Sequence, residues 1–367
     1  STVRSTEGTD FWVTWMDNNG TPFDNKSLTF QLRATTTSER SDITISVTDG
    51  ESYPLKVLKD SVALFTFSKE DREKIYIIKK EAQEITRHSV HVTATKPINL
   101  YVSNYANISY DASVVLPTTA LSNEYIVQTF ERDVINTYFS IIAVEDNTNI
   151  VITPTAKTTK QNDKDNPITV NLNLGETYLV QADKVSSDLS GSLIHADKNI
   201  SVFCGNASTM IPYSENYSPD HVFEQNIPLC FWGKQFGVSI AAHQDFGIVR
   251  ITAAYNNTKI FLDGIEKATI NRGETWKSIS KEIKENAWIT TSKPAICFLY
   301  LTSASANVNS RIVSDIGDDI YLGDPSMVFI TPIEQGLNQL TFGAFKVIDP
   351  DPIREQERQQ KIPMMHY

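Results

Sequence analysis

Gly8-Thr9-Asp10-Phe11-Trp12-Val13 is the first of three passages that decide the fold. Its pattern is a small residue, two variable ones, an aromatic, one more variable residue and a valine. The pattern returns as Ser122-Asn123-Glu124-Tyr125-Ile126-Val127 and as Gly233-Lys234-Gln235-Phe236-Gly237-Val238. A shortened form, Gly343-Ala344-Phe345-Lys346-Val347, follows, and the spacing of about 110 residues is that of one small domain. An end pattern recurs as well: Thr95-Lys96-Pro97-Ile98, then Asp197-Lys198-Asn199-Ile200, then Ser292-Lys293-Pro294-Ala295, each running into an apolar stretch. Between starts and ends, Asn147-Thr148 matches Asn257-Thr258, and Gly175-Glu176-Thr177-Tyr178 matches Gly273-Glu274-Thr275-Trp276. Glu224-Gln225 before Trp232-Gly233 pairs in the same way with Glu334-Gln335 before Phe342-Gly343. Collinear matches at similar offsets read as three diverged copies of one module.

The module itself is β. Short runs such as Phe11-Trp-Val-Thr-Trp15, Asp42-Ile-Thr-Ile-Ser-Val47 and Ile98-Asn-Leu-Tyr-Val-Ser103 have the length and the β-branched and aromatic content of strands. Asn-Thr and Gly-Glu-Thr supply turn chemistry, and Lys-Pro predicts an extended lead into a strand. Helical signals are few. Ser68-Lys-Glu-Asp71 resembles a capping box, whereas the Ile75-Tyr-Ile-Ile78 that follows reads as strand. Residues 155–167 read as a polar surface loop. The fold expected is all-β, with three tandem β-sandwich-like repeats in a pseudo-threefold arrangement. A β-propeller with two blades per repeat is the alternative. Repeats are expected over 1–107, 108–209 and 210–306. A C-terminal segment, 307–367, would carry the partial fourth start back onto repeat 1 and then run out as a loose tail.

Composition narrows the function. The 367-residue chain is 40% hydrophobic and carries a formal net charge of −11 at pH 7. That balance disfavours nucleic acid or an anionic membrane surface as partner. No apolar run has the ~18 residues of a membrane-spanning helix. The polar N-terminus, STVRSTEGTD, reads as a tether left after removal of a leader, so the chain is expected to be secreted or at the cell surface. Three cysteines, Cys204, Cys230 and Cys297, form no framework, and Cys204 and Cys297 in apolar runs read as buried thiols. A Cys204–Cys230 bridge is compatible with the sequence but not required by it.

No catalytic motif is present: nucleophile elbow, phosphate-binding loop, dinucleotide fingerprint and His-Glu-x-x-His are all missing from the sequence. The residues singled out for ligand contact, Tyr213, Tyr217, Asp220, His221 and Glu224, lie in or just after a Tyr-, Pro- and Asn-rich stretch. A second expected contact loop runs from Ala304 to Gly323. Asp315, Asp318, Asp319 and Asp324 cluster around glycines, a donor set suited to calcium, although the spacing is not that of an EF-hand. No other cofactor is expected.

These residues also carry a resemblance. Asp220-His221-Val-Phe-Glu224-Gln225-Asn-Ile-Pro228 with Trp232-Gly233-Lys-Gln-Phe236 resembles the "DH-x-x-EQ-x-x-P…WG-x-x-F" core of the IgGFc-binding protein N-terminal domain family. Ser187 to Asn206 is similar to its "DL-S/T-G-S" stretch, and Gly323-Asp-Pro-Ser-Met327 to its "DP-S/A-M" block. Residues 207–219 contain no cysteine where animal members carry them, and in this the chain looks more like a bacterial member. The resemblance implies a secreted or cell-surface interaction domain without catalysis. The function expected is therefore binding or adhesion to a host or matrix protein or glycoprotein through loops. The alternatives are a calcium-dependent carbohydrate-binding protein, a glycan-active hydrolase, and a structural stalk.

Overall fold

The computed structural model describes residues 5–16, 28–106, 109–129, 136–185, 187–209, 220–240, 244–303, 306–307, 312–313, 319–320 and 326–335. The first repeat consists of β1 (Gly8–Val13), β2 (Thr29–Thr35), β3 (Arg40–Val47), β4 (Ser52–Leu58), β5 (Ala63–Thr66), β6 (Val90–Ala106) and β7 (Ser109–Val115). The second consists of β8 (Ser122–Ile126), β9 (Tyr138–Ala143), β10 (Thr148–Thr153), β11 (Ile168–Leu172), β12 (Thr177–Gln181), β13 (Leu193–Thr209) and β14 (Asp220–Gln225). The third consists of β15 (Gly233–Val238), β16 (Ile248–Ala253), β17 (Thr258–Leu262), β18 (Ile265–Ile270), β19 (Thr275–Lys277), β20 (Ala287–Leu301) and β21 (Ser326–Phe329).

Strand order is the same each time. In repeat 1 it runs β4-β3-β6-β2-β5, with β1 and β7 also bonded to β6. Repeats 2 and 3 reproduce it as β11-β10-β13-β9-β12 with β8 and β14, and as β18-β17-β20-β16-β19 with β15 and β21. The long spine strands β6, β13 and β20 make this possible. The first half of β6 pairs with β1 and β3, and its second half pairs with β2 and β7. One strand thus serves two facing sheets, which is a sandwich rather than a pair of separate propeller blades. Positions 8, 122 and 233 begin equivalent strands, each antiparallel to its spine.

The spine changes sheet at the end pattern. Gly8 faces Ile98 while Asp10 faces Thr93, so the spine carries three extra residues there, and the same slip occurs at Ser122/Glu124 and Gly233/Gln235. Lys-Pro therefore marks a bulge inside a strand rather than the lead into one, a place where a missing N–H is tolerated. The residue before each lysine takes over the orphaned donor. Thr95 Oγ1, Asp197 Oδ1 and Ser292 Oγ accept from the backbone N–H of Asp42, Asn149 and Lys259 at 2.9, 2.9 and 2.8 Å. Lys198 and Lys293 donate to the carbonyls of Asp146 and Asn256 in the neighbouring turn. In that turn Asn147 and Asn257 adopt left-handed φ of 52° and 57°.

Each repeat is then closed by a strand and a proline turn. β7, β14 and β21 end the sandwiches, and Pro117, Pro228 and Pro332 open one-turn 3-10 helices behind them. The turns return to the start strand of their own repeat. A Cβ on Gly8 would lie 2.3 Å from Pro117 Cβ, and one on Gly233 would lie 2.3 Å from Pro332 Cβ. The small residue in the start pattern is the space this turn occupies. The sheet of repeat 1 accordingly runs on past 107 to Val115, and Ser326–Gln335 attaches to repeat 3. Glu334-Gln335, in a 3-10 turn, does not correspond to Glu224-Gln225, in a strand, so that sequence match is coincidental. The partial start 343–347 lies outside the described residues.

Ser68 caps a short helix, α1 (Lys69–Ile75), by accepting from Asp71 N at 3.2 Å. Tyr76–Ile77 then pairs, parallel, with Trp15–Met16. Both sequence signals hold, one after the other. Cys204 and Cys297 are buried, Cys230 is exposed, and none of the three is in a disulfide.

Candidate functional site

The motif residues converge on the joints between repeats. Glu224 is only 6% exposed, and its Oε1 accepts from Ser113 Oγ of repeat 1 at 2.8 Å. Gln225 Oε1 accepts from Leu116 N at 2.6 Å, while its Nε2 donates to Ser201 Oγ at 3.0 Å. Ser113 Oγ also accepts from Gln225 N at 3.0 Å. The Glu-Gln pair, one residue facing each way on β14, locks the closing strands β7 and β14 together. Repeat 1 also reaches into the edge of repeat 2. Ile85–Thr86 pairs with Tyr178 and Thr177 of β12, Gln83 N donates to Leu179 O at 2.7 Å, and Ser89 Oγ donates to Gly175 O at 2.6 Å.

The joint between repeats 2 and 3 is built from the Asp-Leu-Ser-Gly-Ser stretch. Arg250 Nη2 donates to Asp188 Oδ2 at 2.6 Å, with side chains only 8% and 18% exposed, and Arg250 Nη1 donates to Thr129 O at 2.8 Å. Burial pushes the Asp188 carboxyl up. The Arg250 charge, with hydrogen bonds from Thr129 Oγ1, Arg250 and Ser190 N, outweighs burial and holds it below the usual carboxylate range. Thr252 Oγ1 donates to Gln128 Oε1 at 2.8 Å. Gly191 backs directly onto Gly273, where an added Cβ would lie 2.1 Å from the Gly273 carbonyl oxygen. Both glycines have left-handed φ, 87° and 78°.

Of the residues singled out from the sequence, Glu224 is thus buried in a joint. Tyr213 and Tyr217 lie outside the described residues. Asp220 and His221 begin β14, but their side chains are outside the description. Asp315, Asp318 and Asp324 are outside it as well, and Asp319 is described only as backbone paired with Val313. Among the described residues no group of three or more His, Cys, Asp or Glu is placed to hold a metal ion. Sequence reasoning noticed Asp188 and Gly191 only as part of a family-like stretch and missed Arg250 and Ser113 altogether, because nothing in one repeat's pattern announces which residues face the next.

A family model described as IgGFc binding protein matches residues 111–349. The chain belongs to that family. The IgGFc-binding match spans all of repeats 2 and 3 together with most of β7, and it includes both joints' Ser113, Asp188, Glu224, Gln225 and Arg250. No curated protein matches the chain. A solved structure described as "Ca2+-stabilized adhesin helps an Antarctic bacterium reach out and bind ice" aligns over 88% of this chain and 74% of its own. Its identity is 10% and its TM-score 0.14, a likeness that carries no argument. No helix among the described residues is long and apolar enough to cross a membrane.

Proposed function

We propose that the chain is an extracellular, non-catalytic binding or adhesion protein that recognises a host or matrix glycoprotein through two loops. One observation carries this reading. The connection from spine to closing strand is only residues 107–108 in repeat 1, but 210–219 in repeat 2 and 302–325 in repeat 3. The closing strands that receive the two long connections, β14 and β21, lie side by side. The two long connections thus lead into closing strands that touch each other, and the first of these strands is fixed by Glu224 and Gln225. Variable loops on a rigid β scaffold are a common means of recognition. Membership of the IgGFc-binding family supports a protein ligand.

The test is an array of matrix proteins, immunoglobulins, mucins and free glycans, probed with the intact chain and with two loop-shortened variants. In one variant residues 210–219 become an Asn-Gly hairpin turn; in the other residues 308–325 become a Gly-Ser linker. Loss of binding with an unchanged melting temperature is expected. Full binding by both variants would place recognition elsewhere, and a chain that binds nothing on the array would be a spacer.

A further inference from the structure

The two joints inside the chain are one interface used twice, and among the described residues each end of the molecule displays a half of it that no other repeat covers. In both joints the receiving side is the second strand of the later repeat, its fifth strand and the second half of its spine. The giving side is the segment just before the spine of the earlier repeat. Register makes the positions comparable. Ser89, Gly191 and Asn286 each sit three residues before the spine residue facing Phe11, Tyr125 or Phe236. Ser89 meets Gly175 and Gly191 meets Gly273. Arg33 and Arg250 are likewise equivalent, facing Tyr101 and Phe298 on their spines.

Burial shows which half is open. β9 and β16 are buried on both faces along their whole length, whereas β2 alternates, leaving Gln31 and Arg33 half-buried on its outer face. Leu64, opposite Arg33, is 48% exposed, while its counterpart Leu179 in repeat 2 is 2% exposed. At the other end of the molecule the segment before the third spine carries Ile279, 75% exposed, with Glu285 and Asn286 also exposed. No element of repeat 1 packs on repeat 3 among the extensive contacts of the described residues.

We propose that the chain associates head to tail with a second copy of itself, the outer face of repeat 1 (Gln31, Arg33, Leu64) seating the segment 279–286 of repeat 3 from the other molecule. Continuity with the internal joints supports this occupant: the outer face has the same strands and register as faces that are covered within the chain. Charge supports it too, since Arg33 stands at the register position of Arg250, and the incoming segment brings the exposed Glu285. The segment 336–367 is a weaker fit. It carries only a start pattern, and in both internal joints the covering residues come from just before a spine. A heterologous contact of this kind closes into a ring or extends as a filament, depending on its rotation.

Analytical ultracentrifugation of the full chain from ~1 to ~100 µM reads the association directly. The average mass is expected to rise with concentration for the native chain and to stay at the monomer value for Leu64→Asp and for Arg33→Glu. Glu285→Lys is expected to weaken association on its own and to restore it when combined with Arg33→Glu in the same chain, because the pair is then reversed. A native chain that stays monomeric at the top concentration overturns the proposal. So does association that survives Leu64→Asp and Arg33→Glu, since another face then carries it. A third overturning result is a chain cut after Gln335 whose β2 amides exchange faster while the mass is unchanged, which would make 336–367 the natural cover.

Discussion

Asp188 is a carboxylate held where water is scarce, and it tolerates that position because Arg250, Thr129 and Ser190 all donate to it. A pKa depressed in the folded state links stability to pH. The contribution is fully present above the unfolded carboxylate value of about 4, and it is lost as pH falls through the lower folded value. Asp188→Asn breaks a buried pair from one side and is expected to cost about 3 kcal/mol at pH 7. The native and variant stabilities should converge in acid, where the native carboxyl is also protonated. Urea titrations at pH 7, 5, 4 and 3 check this, and a constant gap across that range would remove Asp188 as the source of the acid dependence. At this scale the sequence was only partly legible. Glu224 stood out as a ligand residue because it follows the Tyr-, Pro- and Asn-rich stretch, while the strand that covers it, β7, lies in another repeat. Tyr125 was legible as part of the start pattern; its hydroxyl, which replaces the Phe of the other copies, is satisfied by Ile200 O at 2.7 Å.

The element that organises the fold is the bulged spine. A strand shared between two sheets must turn, and the bulges at 94–97, 196–199 and 291–294, four residues facing one, provide the bend. The recurring Thr/Asp/Ser-Lys-Pro/Asn triplet was visible in the sequence, yet its placement was not: proline is compatible with a strand start and with a bulge, and only pairing partners distinguish the two. Asn199 stands where the other repeats have Pro97 and Pro294. Asn199→Pro should therefore fit without strain and reduce the freedom of the unfolded chain, raising stability by ~0.4–1 kcal/mol. Val202→Pro, three residues on and between β9 and β14, puts a proline in the middle of the sheet, where it is not tolerated as it is at an edge or a bulge, and is expected to lower stability clearly. Paired thermal melts decide the matter: destabilisation by Asn199→Pro comparable to that of Val202→Pro would show that the three bulges differ in backbone form.

Across the whole molecule, cores do not respect repeat boundaries. The apolar cluster centred on repeat 1 includes Tyr138, Ile142, Leu179, Phe203 and Phe223 of repeat 2, and the cluster of repeat 2 includes Ile248, Phe298, Tyr300 and Met327 of repeat 3. Each repeat lends a face to its predecessor, so three sandwiches that the sequence presents as beads are coupled through nearest-neighbour burial. Sequence periodicity exposed the copies because each has to satisfy the same bulge, turn and proline closure. It hid the coupling because the residues that carry it, Gln31, Tyr138 and Ile248 at one register position, differ from copy to copy. Phe203, fully buried and stacked on Phe223 at 5.4 Å, is the point at which to break the first joint without opening the centre of either sandwich. The native chain is expected to unfold in a single calorimetric transition. Phe203→Ala should remove about 3–5 kcal/mol, mostly from the joint, and divide the endotherm into a repeat 1 transition and a later one for repeats 2 and 3. A variant endotherm that is merely shifted, with calorimetric and van't Hoff enthalpies still equal, would mean that the closing strands alone suffice to bind the array into one cooperative unit.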